Sequence, residues 1–398
     1  MRKRRTNAER FEQCDSVLDS FNIRWLSKHH FRSYNYENKW DMRTDRSHIS
    51  NVHLYIEAHV LTLPLTGEHA FTKNITDSER ETLASLVNQR AYMKPLLLDT
   101  YDHYTPLQLA VLYDIPHIVE FFLNCTNADV NVKDVDGRNV IQLALVHGVT
   151  NIQQGSTLHR LVHSKDFDVS SSCNIGYTLL HYCFFDYRLD CRDVALLLVE
   201  KFGADIEARE ITGKTALHIA MYMNTCMQVR FLIEVMHANI HCVCDEGWTL
   251  LHSVCANPDH LAQNPSEIYA LSKLQYLIYE KGFVNSINIA DKDGVSPLHL
   301  ACFASKESED ALCICQLLAC GARPDALDND GDSPLHDVIT SGNISGARML
   351  LVQVRSNGGV TGAKDEITRC NRFGRTALHT ACYHGRDDML NLFQRAMT

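Results

Sequence analysis

The order of polar and apolar positions recurs along most of this chain. A glycine, one variable residue and a Thr, Ser or Asn precede a short apolar run that contains a His or Gln, as in Gly213–Ala220 and Gly294–Ala301. A turn glycine followed by an N-cap residue and a short apolar run predicts a helix. A second apolar run, such as Val194–Phe202, predicts a second helix after each of these.

The N-cap residues set the phase of the repeat. They stand 34, 39, 37, 34, 47, 37 and 43 residues apart, so the base period is 33 to 34 residues with insertions. The caps are Thr105, Asn139, Thr178, Thr215, Thr249, Ser296, Ser333 and Thr376. Tight turns are predicted at Gly137, Gly176, Gly213, Gly247, Gly294, Gly331 and Gly374.

The third residue after each cap occupies the position from which a side chain can bond back to the cap. Gln108 and Gln142 stand there in the first two copies, and His takes the position in the other six. In a capping box, a side chain at this position reaches back to the cap residue. The segment Ser156–His159 looks like an extra start, but it lies only 17 residues after Asn139. It fits better within a lengthened second helix of that copy.

The pattern of Gly, cap, Pro or Ala, Leu and His, with a second helix that ends in Gly203-Ala204-Asp205, resembles the ankyrin repeat. The resemblance implies an all-α solenoid of helix pairs with β-turn or hairpin loops, about eight to nine repeats long. Residues 99–398 are predicted to form this domain. The first helices and turns are then expected to line a concave face that binds protein.

Two segments precede the predicted array. Residues 1–46 form a basic segment without sustained periodicity, which we expect to be partly disordered. Residues 47–98 are predicted to be an N-terminal cap or a degenerate repeat, because Ser50–Ile56 has the same cap and His spacing.

A narrower resemblance concerns the first copy. Leu97–Asp99, Thr105–Val111 and Pro116–Glu120 together look like the second repeat of the inhibitor-of-kappa-B proteins. That resemblance implies a surface that grips a Rel-type transcription factor. The other narrower hypothesis is a substrate adaptor of a ubiquitin ligase, whose docking segment would have to come from the N-terminal residues.

Charge and composition limit the classes of partner. The net charge is −10, and residues 1–46 carry 11 Lys and Arg against 7 Asp and Glu, which leaves −14 for the rest. An acidic body argues against direct nucleic-acid binding and favours protein partners, basic ones included.

No apolar run is long enough to span a membrane, and the 15 Cys are too sparse for a disulfide scaffold. We expect a monomeric signalling protein of the cytoplasm or nucleus; Arg2–Arg5 is either a nuclear signal or a solvated terminus.

Enzymatic and metal chemistry find little support in the sequence. The densest candidate metal cluster is His237, His241, Cys242 and Cys244, but adjacent residues of an extended segment point in opposite directions. No phosphate loop, nucleophile elbow or metalloprotease motif occurs. The sequence therefore predicts a protein-binding module that has no catalytic residues and needs neither cofactor nor metal.

Two sets of positions at fixed phase are candidate contacts for a partner. The residue between turn glycine and cap, here called the turn row, is predicted to be exposed and is rich in hot-spot residue types. Its candidate members are Tyr104, Arg138, Tyr177, Lys214, Trp248 and Arg375. The residue four positions after each capping His or Gln forms the stripe, which is either exposed contact surface or ordinary core. Its candidate members are Leu112, Phe185, Tyr222, Phe303 and Tyr383.

Insertions interrupt the period at three places, which we predict to be loops. They are Ala256–Ser266, Lys306–Asp310 and Gly358–Glu366.

Overall fold

The computed structural model describes six stretches of the chain: residues 105–112, 114–125, 128–223, 225–257, 273–305 and 311–397. Within these stretches the chain is helices joined by turns, with no strand. The predicted all-α repeat fold is thereby confirmed. The predictions for residues 1–46 and 47–98, the possible signal at Arg2–Arg5 and the turn-row residue Tyr104 lie outside the described residues.

Each of the eight cap residues is followed by a short first helix, and we number the repeats 1 to 8 in that order. At Ser296 the side-chain oxygen accepts from the backbone N–H of His299, and Pro297 takes the first helical position, where no donor is needed. The first helices are Pro106–Leu112, Val140–Val146, Leu179–Cys183, Ala216–Met223, Leu250–Cys255, Pro297–Ala304, Pro334–Ser341 and Ala377–Tyr383.

A second helix follows in every repeat. In repeat 4 it continues as the π-helix Phe231–Val235, and the described second helix of repeat 5 ends in the π-helix Tyr276–Glu280, followed by the 3-10 helix Phe283–Ser286. The α-helical part of the second helix in repeat 4 is Cys226–Arg230. The second helices of the remaining repeats are Pro116–Cys125, Thr157–Val162, Arg192–Glu200, Leu312–Ala319, Ile344–Thr368 and Asp387–Met397.

The core is a continuous row of apolar side chains, because the first helices of consecutive repeats pack side by side. Leu217, Leu298 and Leu335, which share one position in the repeat, are each 1% exposed. Equivalent positions therefore have equivalent environments, as the repeat assignment predicts.

The structure differs from two predictions of local structure. The segment Ser156–His159 begins the second helix of repeat 2 with Ser156 as its cap, as expected, but that helix is short rather than lengthened. The predicted loop Gly358–Glu366 is instead helical and belongs to Ile344–Thr368, which is interrupted only at Gly359. The loop prediction was wrong because Ala363 and Ile367 lie four residues apart on one helix face and are both fully buried.

The insertion Lys306–Asp310 and most of the insertion that begins at Ala256 lie outside the described residues. Among the described helices, none has the length and apolar character required to cross a membrane.

Candidate binding surface

The turns are joined to one another through their backbones. The seven predicted turn glycines all have φ between +69° and +88°, the left-handed region that glycine enters without strain. Each of the six turns from Gly176 onward donates one backbone N–H to the preceding turn: Ile211 N–H reaches the Ile175 oxygen at 3.1 Å, and Lys292 N–H reaches the Glu246 oxygen at 2.9 Å. The turn apices therefore form an ordered edge with fixed spacing.

The capping residues join each repeat to the next one. In repeat 5, Nδ1 of His252 accepts from the Thr249 N–H at 3.1 Å, and Nε2 lies 3.1 Å from the carbonyl oxygen of Val295 in repeat 6. Because Nδ1 is an acceptor, the ring is neutral and its Nε2–H donates to Val295. Burial lowers the pKa of His252 to about 4, which favours that neutral form.

In repeat 2 a glutamine makes the equivalent hydrogen bonds to the cap and to the next repeat. Oε1 of Gln142 accepts from the Asn139 N–H at 2.9 Å, and its Nε2 donates to the Tyr177 carbonyl at 3.0 Å. The expected bond back to the cap is present in all eight repeats, because the Gln or His side chain accepts from the backbone N–H of its cap residue.

The aromatic members of the turn row are not exposed. Tyr177 is 8% and Trp248 is 6% exposed, so the prediction of exposure was wrong for both. The Trp248 indole N–H donates to Asp291 of the next repeat at 3.1 Å, and the ring lies 4.7 Å from the Lys214 ammonium of the previous repeat. Neighbouring turns on both sides cover the side chain, a contribution that the phase of one repeat does not reveal.

The basic members of the turn row differ from one another. Arg138 is half-buried and pairs with Asp134 at 2.8 Å and Asp136 at 2.6 Å. Burial alone would lower the pKa of Arg138, but the two carboxylates outweigh it and raise the pKa. Lys214 is also half-buried, against Trp248, and Arg375 is exposed as predicted.

The stripe keeps partial contact with solvent. Leu112, Phe185, Tyr222 and Phe303 are half-buried. Burial raises the pKa of Tyr222 to about 12, and the Phe185 ring packs edge-on against Tyr177 at 6.1 Å. These side chains are thus intermediate between the two alternatives that the sequence left open.

The last member of the stripe, Tyr383, is 79% exposed.

The sequence reasoning missed the true turn apices. Val135, Ile211 and Phe373 are 64%, 60% and 67% exposed, and each lies before its turn glycine rather than after it. The sequence does contain a signal for these apices, which is the Asp, Glu or Asn at the first position of each of these turns. Its side-chain oxygen accepts the backbone N–H four residues later and so stabilises the turn. The residues between this acceptor and the glycine then have to project outward.

The candidate metal cluster does not converge. His241 is exposed, whereas Cys242 and Cys244 are buried, in line with the expected alternation. Over the stretches that the structure describes, no group of three or more His, Cys, Asp or Glu side chains is placed to hold a metal ion.

Comparison with known proteins gives the same architecture. A family model described as ankyrin repeats matches residues 107–210, 262–357 and 303–396, which together cover more than half of the chain.

Curated relatives match shorter parts of the chain. A putative ankyrin repeat protein of Rickettsia bellii is 26% identical over 192 residues, 41% of this chain and 26% of the relative. A poly [ADP-ribose] polymerase tankyrase of Caenorhabditis elegans is 24% identical over 199 residues, 45% of this chain and 8% of the relative. A B-cell lymphoma 3 protein homolog of Mus musculus is 31% identical over 151 residues, 37% of this chain and 32% of the relative. The matches therefore span less than a third of each relative.

Proposed function

The chain belongs to the ankyrin-repeat family, and from that premise we propose that it is a non-enzymatic module that binds a partner protein through its stripe and turn apices. The observation that supports this best is the stripe itself. Phe185, Tyr222, Phe303 and Tyr383 occupy one position of the repeat and all keep contact with solvent. Half-buried aromatic side chains are typical of binding hot spots. Because neighbouring residues already restrict their rotamers, they lose little side-chain entropy when a partner binds.

Charge at the turns supports a basic partner. Asp245 and Glu246 lie at the turn of repeat 5, Asp293 at that of repeat 6, and Asp330 at that of repeat 7. Because the turns are joined in order through their backbones, these carboxylates lie along one edge of the array. Such an edge steers a basic surface toward the aromatic contacts, and the association rate should fall as salt screens the attraction.

A narrower candidate is an inhibitor-of-kappa-B-like regulator of a Rel-type transcription factor. Two of the three segments that carry that resemblance, Thr105–Val111 and Pro116–Glu120, correspond to the paired helices of repeat 1, and Leu97–Asp99 lies outside the described residues. In that case the protein would act in the cytoplasm or nucleus, and the ubiquitin-ligase adaptor remains the other narrower candidate.

The test compares a stripe variant with a matched variant elsewhere. In the full chain, Tyr222→Ser with Phe303→Ser removes two stripe contacts. Met227→Ser with Val235→Ser changes two side chains that are 62% and 51% exposed on the second helix of repeat 4. Proximity labelling identifies the partner, and titration calorimetry then measures its affinity for each variant.

We expect the stripe variant to bind about tenfold more weakly or worse, and the second-helix variant to bind normally. Thermal unfolding of both variants checks that the fold is retained. Equal affinities of the two variants would contradict the proposal. A Rel-type factor as the captured protein supports the first narrower candidate, and a ligase subunit supports the second.

A further inference from the structure

The turn of repeat 8 has the chemistry of a different surface. Arg375 occupies the same position as Arg138, but the carboxylate that opens the turn of repeat 2, Asp134, is replaced by the neutral Asn371. A second carboxylate partner of Arg138, Asp136, is replaced by Phe373. The position of Val135 is taken by Arg372. The turn of repeat 8 therefore lacks both carboxylates that pair with Arg138 in repeat 2, and it carries a second arginine.

Asn371 still shapes the turn although it carries no charge. Its side-chain oxygen accepts from the backbone N–H groups of Phe373 at 3.0 Å and Arg375 at 2.9 Å. Its amide donates to Asp332 at 2.8 Å, and the Arg372 N–H donates to the Asp330 oxygen at 2.9 Å. The backbone that presents both arginines is therefore held before any ligand arrives, which lowers the entropy lost on binding.

Two aromatic side chains flank these arginines. Phe373 is 67% and Tyr383 is 79% exposed, the two highest values among the exposed large apolar side chains of the described residues. The Arg375 guanidinium lies 5.8 Å from the centre of the Tyr383 ring. An arginine that rests on a ring face keeps its N–H edge available for a carboxylate. No carboxylate in the described stretches lies within ion-pair distance of Arg372 or Arg375.

The surrounding charge separates this end from the rest of the array. Residues 344–398 carry 8 Lys and Arg against 4 Asp and Glu, whereas residues 105–343 carry 15 against 30. An acidic ligand is therefore repelled along most of the array and attracted at repeat 8. A nucleic-acid backbone fits poorly, because it needs several phosphate contacts and two arginines supply few of them.

We propose that Arg372, Phe373, Arg375 and Tyr383, here called the basic tip, bind an acidic segment of a partner protein, with carboxylates on the arginines and an apolar side chain between the aromatic rings. The proposal rests on the proposed function as a protein-binding module and specifies a second contact area for it. Paired N–H groups on each guanidinium give a carboxylate two directional bonds, which makes the contact selective for Asp and Glu.

The probe is a fluorescein-labelled oligoglutamate peptide with a central phenylalanine, titrated with the full chain and followed by fluorescence anisotropy. Arg372→Glu with Arg375→Glu should weaken binding about tenfold or more, because both pairs become repulsive. Arg348→Glu with Arg355→Glu makes the same change in net charge at two exposed arginines on the second helix of repeat 7, and should leave affinity within about twofold. Arg372→Gln with Arg375→Gln should lie between them and guards against a folding defect in the first variant.

Four results would overturn the proposal. The first is equal loss in the two Glu variants, which would show a general field effect. The second is equal binding of the corresponding oligoglutamine peptide. The third is tighter binding of a single-stranded oligonucleotide of matched charge. The fourth is a dimer, seen by light scattering and lost in the first variant, which would make a second copy of this chain the occupant. Failure of the peptide to bind the parent chain would also overturn the proposal. It would leave the proposed function standing, because the stripe variant tests partner capture separately.

Discussion

Trp248 in repeat 5 and Arg375 in repeat 8 occupy the same position of the repeat and have opposite environments. Trp248 is 6% exposed and contacts Lys214 on one side and Asp291 on the other, whereas Arg375 is exposed. The repeat sets where the backbone lies, but the turns on either side determine whether the side chain reaches solvent. At this position the Trp248 side chain therefore contributes to stability, whereas the Arg375 side chain is available for a ligand.

The strongest test of this contrast is truncation at both positions. Trp248→Ala should lower the free energy of unfolding by about 3 to 5 kcal/mol, because a buried aromatic is lost. Arg375→Ala should change it by no more than about 0.5 kcal/mol, as expected for an exposed side chain. Urea unfolding followed by circular dichroism measures both. Similar losses for the two variants would refute the contrast.

A second comparison uses one leucine from an inner repeat and its counterpart in repeat 8. Leu298 is 1% exposed and Leu378 is half-buried. Leu298→Ala should cost about 2 to 5 kcal/mol, and Leu378→Ala about half as much, since less surface leaves water at that site. Thermal unfolding of the two variants under one condition gives the ratio. A larger loss at Leu378 would mean that repeat 8 contributes more to the core than its exposure indicates.

The capping histidines make the inner repeats sensitive to acid. The pKa of His252 is 6.5 in its ordinary state and about 4 in the fold, because of burial. Between these pH values the unfolded chain binds a proton that the folded chain does not, so stability falls as the pH drops below about 6.5 and levels off below about 4. By pH 5 one such histidine should cost about 2 kcal/mol relative to neutral pH.

His252→Gln isolates this effect, since Gln142 makes the equivalent bonds in repeat 2. The variant should resemble the parent near pH 7.5 and lose about 2 kcal/mol less on acidification to about pH 5. Burial raises the pKa of Asp291 and of Asp328 to about 6, which gives a trend of the opposite sign, but both proteins share it. Parallel stability curves against pH would show that His252 is not a source of acid sensitivity.

The smallest difference is expected at the turn glycines. A side-chain carbon at Gly176 would lie 2.9 Å from the backbone nitrogen of Ile211, whereas at Gly374 nothing lies within 4 Å. Both have positive φ, so Ala at either site costs about 1 to 2 kcal/mol of backbone strain. Gly176→Ala should exceed Gly374→Ala by roughly a further 1 kcal/mol or more, because the neighbouring turn has to move. Equal melting temperatures would indicate that neighbouring turns separate easily.

The fold was largely predictable because its signals are local. A cap such as Ser296, the Pro after it and His299 three residues later lie within one turn of helix, and their types specify the bonds that the structure contains. The buried leucines followed from the same phase. The helix in place of the predicted loop Gly358–Glu366 was missed because the three glycines of this segment are typical of a loop and outweighed the apolar pair Ala363 and Ile367.

The candidate surface was only partly predictable because exposure is not local. Covering Trp248 requires Asp291, which stands 43 residues later, beyond a long insertion. The basic tip was also visible only after alignment of the turns on their first residue, which shows Asn371 where repeats 2, 4, 6 and 7 have Asp or Glu. The phase of the repeat correctly predicted that Arg375 is exposed, left the exposure of Tyr383 open, and gave no reason to connect the two residues.

The bonds between turns also determine where this protein tolerates added sequence. Caps 249 and 296 are 47 residues apart, yet Lys292 N–H still reaches Glu246 at 2.9 Å and His252 still lies 3.1 Å from the Val295 oxygen. Repeats 4 and 5, only 34 residues apart, have the matching distances of 2.9 Å from Asp245 N–H to Thr212 and 3.2 Å from His218 to Trp248. Because turn and cap carry the register, the 13 additional residues between caps 249 and 296 leave these bonds unchanged, and an insertion directly after Asn257 should do the same. A fluorescent reporter domain spliced there should leave the array folded, which makes this the position of choice for following the protein in a cell.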